Sequence, residues 1–587
     1  MTADEKTDAA STPETESPYT LQREGGDDAR HAFWADTVAD RVEARVADRR
    51  EATESTGRAD HAPSSESEEP IVVKGGISPS GVPHLGNVNE IMRGYYVAKV
   101  LRERGHEVRQ VFTADDRDPL RKLPRTLCDL DGNLVDLGDV DAGALGRNLG
   151  VPYTDIPDPF GCCDSYGEHF ATIIQDSADA LDVPIDLLSN TALYERGEFE
   201  TVTRDVLANR DRAREVLSAY QDTVDADGDY VPFNPICGEC GKLTETVTSV
   251  DLDSGDAGTV DYRCTDMDAG DRTIEGCGHE GTATLCEGKL PWRFEWPAQW
   301  QVLGVDFEPF GKDHAEGSWP SGQDVARNVL EIEPPVPMVY EWFTLDDEPF
   351  SSSDGNVILV SDVLELLEPA VLRYFFAKDP AKARDFSIER LDQLVDEFDR
   401  LEAIYFGEIE VDDDEQAFAD RVYPLVVEEP REDRIRLPYT FAAVLGMTDD
   451  SDLREEIARR EGHIPEDAPE WAIEGALDRV EQARNWARRT ENEFDYELKR
   501  SEIPDHEFDS ATEDALDDLA EFIEAGHDPE EIQGEIYETA RRHDVDVGDF
   551  FAAGYRLFFD ETQGPKLGTF LAKVDRAFVV DRLRRER

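Results

Sequence analysis

His84 and Asn87 stand three residues apart at the end of the stretch GGISPSGVPHLGN, residues 75–87, where a helical pattern begins. That spacing lets both side chains point into one crevice, and the free N–H groups of a helix start are suited to phosphate. Ser351, Ser352 and Ser353 follow Phe350 and precede Asp354-Gly355-Asn356. Their hydroxyls and the Gly355 backbone can hydrogen-bond phosphate but carry no fixed charge. Asp158, Cys162, Cys163 and His169 lie in one short loop-to-helix segment and offer the donor types that close around zinc. Cys237-Gly-Glu-Cys240-Gly opens a second metal pattern. It reads as a structural zinc ribbon completed by Cys264 with His279, or with Cys277 as the alternative ligand. Cys128 and Cys286 have no spaced partners and read as packing residues.

The elements that must position these groups are legible around them. Residues 71–73 read as a buried strand, 88–104 as a helix and 107–113 as a second strand. Pro79, Ser80, Gly81 and Gly86 then lie in the loop at the carboxyl end of the first strand, where open α/β sheets bind ligands. Asp115 and Asp116 close the second strand, placed to fix a substrate's amino groups. A helix over 33–49 precedes this βαβ unit, and residues 165–220 read as helices. Beyond the ribbon come the aromatic-dense WRFEWPAQW at 292–300, a strand over 305–310, the segment Gly311-Lys312-Asp313-His314, a helix over 322–332 and a strand over 337–343. The whole is an α/β fold, a doubly wound parallel sheet entered twice, with a zinc-binding insertion between its halves.

From about residue 362 the pattern is all helical, with apolar stretches at 363–376, 391–406, 437–446, 471–488, 513–524, 529–541, 547–559 and 566–583. The expected layout is a disordered acidic tail over 1–30, a first half-domain over 31–150, and the insertion over 151–290. A second half-domain covers 291–362 and a helical region 363–587. Arg373, Lys378, Lys382 and Arg384 form one local basic patch, and Lys566, Lys573, Arg576, Arg582, Arg584, Arg585 and Arg587 another, each a candidate RNA contact.

The 587 residues carry 133 acids against 60 Lys and Arg, for a formal net charge of -73. The acids run the whole length, which suggests a salty cytoplasm. At molar salt the Debye length shrinks to about 3 Å and screens the self-repulsion. Counterion release then contributes little to RNA binding, leaving shape, stacking and hydrogen bonds. No apolar run reaches membrane-span length and the first residues are acidic, so a cytoplasmic protein with no membrane partner is expected.

The His-x-Gly-Asn loop resembles the HIGH signature of class I aminoacyl-tRNA synthetases, in the form used by class I lysyl-tRNA synthetases of archaeal type. The Ser-rich segment resembles their KMSKS signature, but Pro349 and Asp354 stand where lysines usually face the ATP phosphates. Lys312, Arg117 or Mg2+ is the cation available to take over. The resemblance covers 33–587 and includes the Trp helix, both cysteine segments, Gly-Lys-Asp-His and Gly-Pro-Lys-Leu-Gly at 564–568. It implies ATP with Mg2+, L-lysine and tRNA(Lys) as partners, a Rossmann-type catalytic domain, a helical anticodon-binding region and a monomer. It also implies a lysine pocket of Gly76, Ser78, Asp115, Trp292, His314 and Tyr340, and an ATP site of Pro79, Ser80, Gly81, His84, Gly86, Asn87, Ser353 and Gly355. His84, Asn87 and Ser351–Ser353 take the catalytic roles. One carboxylate among Asp115, Asp116 and Glu341 is expected to pair the lysine ammonium. Two other readings are a tRNA-binding relative without activation, motivated by Pro349 and Asp354, and a class I enzyme for glutamate, which would want a basic pocket residue.

Overall fold

The computed structural model describes residues 17–21, 31–56, 69–221, 224–226, 228–255, 258–270, 272–350, 356–500 and 503–586. The chain divides into two compact units, Met1–Ser361 with Phe376–Phe386, and Asp362–Phe375 with Ser387–Arg587.

The first unit is built on a five-stranded, all-parallel sheet. Helix α1 (Trp34–Thr56) comes first, then β1 (Ile71–Ile77), α2 (Leu85–Glu103) and β2 (Val108–Ala114). Helix α3 (Tyr166–Asp179), β3 (Asp186–Ser189), α4 (Trp292–Leu303), β4 (Phe307–Gly311), α5 (Trp319–Asn328) and β5 (Val336–Tyr340) follow. The strand order is β5-β4-β1-β2-β3. Chain order therefore reverses between β1 and β4, and their carboxyl ends open a crevice at the topological switch point.

Short apolar runs such as Ile71–Val73 and Val336–Tyr340 lie in these strands because both faces of a parallel sheet are covered. Val72, Val111, Phe310 and Val339 pack with Trp296, Trp300 and Trp319 from α4 and α5. Trp34 of α1 packs at an angle against Phe33 and edge-on against Tyr96, and its indole N–H donates to the Ala377 carbonyl at 2.9 Å. Two expectations change here. Asp186–Ser189, expected as part of a helical run, is the edge strand of the main sheet, with Leu187 paired to Phe112. Within the stretch expected to be a disordered tail, Tyr19 packs against the sheet cluster and Thr20 is buried. Tyr19 is the one aromatic residue in that stretch.

The cysteine ribbon lies on a three-stranded antiparallel sheet of Val247–Asp251, Thr259–Arg263 and Glu280–Thr284. It rests on its own small core of Phe233, Val260, Tyr262 and Leu285.

The second unit is helical. Its helices include two over Asp413–Val426 and Ser451–Arg460 that the apolar pattern passes over, and the expected run 566–583 is two helices, Leu567–Lys573 and Arg576–Leu583. At its centre the buried Arg479 reaches Glu368 at 2.6 Å and Asp399 at 2.6 and 2.9 Å. Much of the expected basic character is spent internally. Arg373 donates to the Val426 carbonyl, Arg582 to the Leu557 carbonyl, and Lys573, Arg584 and Arg585 pair with Glu461, Glu524 and Asp517.

Candidate active site and metal clusters

Helix α2 begins at the crevice with a reciprocal cap. The His84 backbone N–H donates to Asn87 Oδ1 at 2.9 Å, and the Gly86 N–H donates to His84 Nδ1 at 3.1 Å. With Nδ1 accepting, the assigned tautomer carries its proton on Nε2, which leaves that N–H as a donor. Burial holds the imidazole down to a pKa of about 4, so it is neutral near pH 7. The Asn87 Oδ1 is used by the cap, and its amide N–H groups are the second donor set. The His84 ring stacks on Phe350 with centroids 4.9 Å apart, and the Leu85 N–H donates to the Ile358 carbonyl at 2.9 Å. Ser351, Ser352, Ser353, Asp354 and Gly355 lie outside the described residues.

The loop between β1 and α2 is held from the insertion. Pro79 is buried, Ser80 exposed and Gly81 half-buried. Tyr166 Oη donates to the Ser80 carbonyl at 2.9 Å. Ser78, Ser80, Gly81, Asp118, Lys289 and Trp292 share the lining of a cleft of about 580 Å³.

Five of the six residues expected for the amino-acid pocket come from strand ends. Gly76 is next to last in β1 and Ser78 follows that strand, Asp115 follows β2, His314 lies three residues past β4 and Tyr340 ends β5. A Cβ at Gly76 would come within 2.4 Å of Thr113 Oγ1 and 3.5 Å of Lys74 Nζ, so the position requires glycine. The His314 ring lies 6.0 Å from Trp292 and 5.5 Å from Trp296. Asp115 accepts from Gln299 at 2.9 Å, and burial with Glu295 and Asp118 nearby pushes its carboxyl up to about 8.

The other two carboxylates expected to pair an ammonium are occupied. Asp116 accepts the Thr191 N–H at 2.8 Å, and Glu341 pairs with Lys312 at 3.1 Å. Arg117 is a correction too. It is buried, donates to the carbonyls of Gly288 and Cys286, and lies 5.1 Å from the Tyr194 ring, so it holds the fold and does not face phosphate.

Sequence reasoning missed the charged floor of the crevice. Lys74 of β1 pairs with Glu308 of β4 at 2.7 Å, both buried. Glu308 also accepts the indole N–H groups of Trp296 at 3.0 Å and Trp300 at 2.5 Å. Burial would lower the Lys74 pKa, but Glu308, Asp115 and Glu90 raise it. Glu90, in the second turn of α2, accepts from the Gly76 N–H at 2.7 Å and from Tyr340 Oη at 3.0 Å. A buried lysine inside a run that reads as apolar, VVKGG, was the available signal for this floor.

Two clusters of side chains that could hold a metal ion come together. The Sγ atoms of Cys237, Cys240, Cys264 and Cys277 all lie within 4.8 Å of one another. Cys237 to Cys277 is 3.6 Å and Cys240 to Cys264 is 3.7 Å. Zn–S bonds of about 2.3 Å in a tetrahedron put sulfurs about 3.8 Å apart, so the set fits zinc. Cys277 joins this group and His279 does not; the His279 ring stands 6.2 Å from Tyr262. Burial raises the Cys237 thiol, but the N–H groups of Cys240 and Glu239 outweigh it and bring it down to about 7, near thiolate formation.

The second cluster, Asp158, Cys162, Cys163 and His169, is equally close. His169 is buried and its Nε2 lies 2.8 Å from the Cys128 carbonyl. Donation there leaves Nδ1 as the ligand atom, 3.3 Å from Cys162 Sγ and 3.4 Å from Asp158. An ion here would fix the N-terminus of α3 and, through Tyr166, the Ser80 loop.

A family described as tRNA synthetases class I (K) matches residues 33–428. The lysine–tRNA ligase of Haloarcula marismortui is 66% identical over 570 residues, covering 97% of this chain and 99% of that protein. That of Halobacterium salinarum is 68% identical over 562 residues, covering 95% and 98%. The lysine–tRNA ligase of Pyrococcus horikoshii is 33% identical over 576 residues, covering 94% and 99%. The chain belongs to the class I aminoacyl-tRNA synthetases of the (K) family. Among the described residues no helix is long and apolar enough to cross a membrane.

Proposed function

We propose that this protein is a lysine–tRNA ligase, a cytoplasmic monomer that activates L-lysine with MgATP and transfers it to the 3′ end of tRNA(Lys). The lysine carboxylate attacks the ATP α-phosphorus in line and pyrophosphate leaves. The 3′-terminal ribose hydroxyl of tRNA then attacks the adenylate carbonyl and AMP leaves. No protein nucleophile is needed, and positioning with charge stabilisation supplies the catalysis.

The observation that carries this reading is the pairing of a phosphate-ready helix start with an acid-lined crevice at one switch point. His84 Nε2–H, the Asn87 amide and the α2 N-terminus donate toward the phosphates. The Ser351–Ser353 hydroxyls and the Gly355 backbone are proposed to hydrogen-bond them as well. Lys312, 41% exposed at its side chain, is the cation we assign to stand in for the missing loop lysines. The crevice floor, with Glu90, Glu308 and Asp115 around one Lys74, suits a cationic side chain and disfavours glutamate. Zinc at the two clusters would act structurally. The helical unit is proposed to read the anticodon.

Charging tests this directly. Purified protein in molar KCl should attach labelled lysine to tRNA(Lys) and leave tRNA(Glu) uncharged with either amino acid. Charging of tRNA(Glu) with glutamate would overturn the assignment.

A further inference from the structure

Tyr166 is the first residue of α3 and is fully buried. It stands inside the second ligand cluster, three residues after Cys163 and three before His169. Its backbone N–H donates to the Ile156 carbonyl at 2.8 Å, and its ring stacks on Tyr153 and meets Phe170 edge-on. Its hydroxyl leaves this core and donates to the Ser80 carbonyl at 2.9 Å, 86 residues earlier in the chain.

Ser80 is the exposed tip of the loop that runs from β1 to His84. Inside the loop its N–H donates to the Ser78 carbonyl at 2.8 Å. The Tyr166 hydroxyl is a tether that reaches it from another element. Because the tether holds a backbone carbonyl, it sets where the loop's N–H groups point, and that direction decides how they meet phosphate. Val82, two residues before His84, packs in the same core as Tyr166, and so do Val357 and Leu359 beyond the Ser-rich segment.

The ligand cluster controls the other end of the tether. Asp158, Cys162, Cys163 and His169 offer ligand atoms within 4.8 Å of one another, and the Cys128 carbonyl orients the His169 ring. Closing this set ties down residues 163 and 169 together, with Tyr166 midway between them. Metal binding of this kind is linked to local order. The ribbon cysteines, by contrast, rest on a separate small core.

We propose that Tyr166 is a positioning residue for ATP, carrying the order of the Asp158, Cys162, Cys163 and His169 cluster to the Ser80 carbonyl, so that the nucleotide loop is set only when that cluster is closed. The proposal rests on the reading that this loop binds ATP. A buried tyrosine that merely satisfied its hydroxyl would leave loop order independent of the cluster.

The test compares wild type, Tyr166→Phe, Cys163→Ser and the double variant in molar KCl, with zinc content and thermal unfolding followed alongside. The readouts are hydrogen exchange of the 76–83 backbone, and KM for ATP and for lysine in ATP–pyrophosphate exchange. Tyr166→Phe should keep the wild-type zinc content. It should speed hydrogen exchange of the loop and raise KM for ATP, each about three- to tenfold, the scale of one lost hydrogen bond. KM for lysine should not change. Cys163→Ser should lose zinc and loosen the loop at least as much, and adding Tyr166→Phe to it should loosen the loop no further. Additive effects of the two changes would mean that the cluster does not act through Tyr166, and would overturn the proposal. Wild-type loop protection and wild-type KM for ATP in Tyr166→Phe would overturn it as well, and that arm stands even where Cys163→Ser fails to fold. No ATP–pyrophosphate exchange by folded wild type would instead sink the reading that the loop serves ATP. Hydrogen exchange does not depend on that reaction, so the two failures are distinguishable.

Discussion

Tyr340 Oη donates to Glu90 Oε2 at 3.0 Å and so ties the last strand of the sheet to the helix that follows the first. The bond closes the floor of the crevice at the switch point. It also holds an acid in a place that disfavours its charge. Burial and Glu308 push the Glu90 carboxyl up to about 7, against the pull of the Gly76 N–H and of Lys74.

A raised folded-state pKa has a definite sign. The protonated form is favoured by the fold, so the stabilisation is present below the ordinary carboxyl value and is lost as pH rises through about 7. The groups facing Glu90 are Lys74, Glu308, Tyr340 and the Gly76 N–H. Without lysine, Glu90→Gln should therefore melt higher than wild type at pH 8.5, by about a few degrees. The gap should shrink at pH 5.5. Calorimetry in molar KCl checks this, and a variant less stable than wild type at pH 8.5 would contradict it.

Burial keeps the His84 pKa at about 4, so the imidazole is neutral near pH 7 and offers a neutral N–H. His84→Ala should lower the rate of adenylate formation by roughly 100- to 1000-fold, the scale of one lost transition-state donor. Lysine affinity should change little. Rapid-quench measurement of adenylate with lysine titration separates the two, and matched losses in rate and affinity would remove His84 from that role. Loss of the cap should also cost about 1 kcal/mol of stability.

The buried Lys74–Glu308 pair is a place where one change is worse than two. Lys74→Met leaves Glu308 charged and without its cation, and should destabilise the protein by about 3–5 kcal/mol. Adding Glu308→Gln should recover part of that loss. Urea unfolding in high KCl reads both, and simple additivity of the two single changes would show that the pair is not coupled.

At the ribbon, Cys277→Ser should lose about one zinc per chain and His279→Ala none. Metal analysis of the folded variants decides between them. Zinc loss in His279→Ala alone would restore His279 as the fourth ligand.

These results show which features local sequence carries. The β1–α2–β2 unit was legible because apolar runs, a Gly/Pro loop and helical spacing agree with one another. The strand Asp186–Ser189 was not, because four residues at a sheet edge, half of them polar, give no period to count. The placement of His84 and Asn87 at the helix start was legible because three-residue spacing is local. Glu90 and Glu308 were missed because their meaning depends on strands brought together from more than 200 residues apart. Spacing likewise placed three ribbon cysteines but could not choose Cys277 over His279, two residues away. The choice follows from the hairpin pairing Glu280 with Arg263. Asp116 and Arg117 looked like substrate contacts, and tertiary packing uses both within the fold.

The most direct test of the whole account is amino-acid-dependent ATP–pyrophosphate exchange by the zinc-loaded protein in molar KCl, with lysine, glutamate and the other amino acids tried separately. The account predicts exchange with lysine and none with glutamate, with or without tRNA. Exchange driven by glutamate, or no exchange with any amino acid from folded protein, would contradict it.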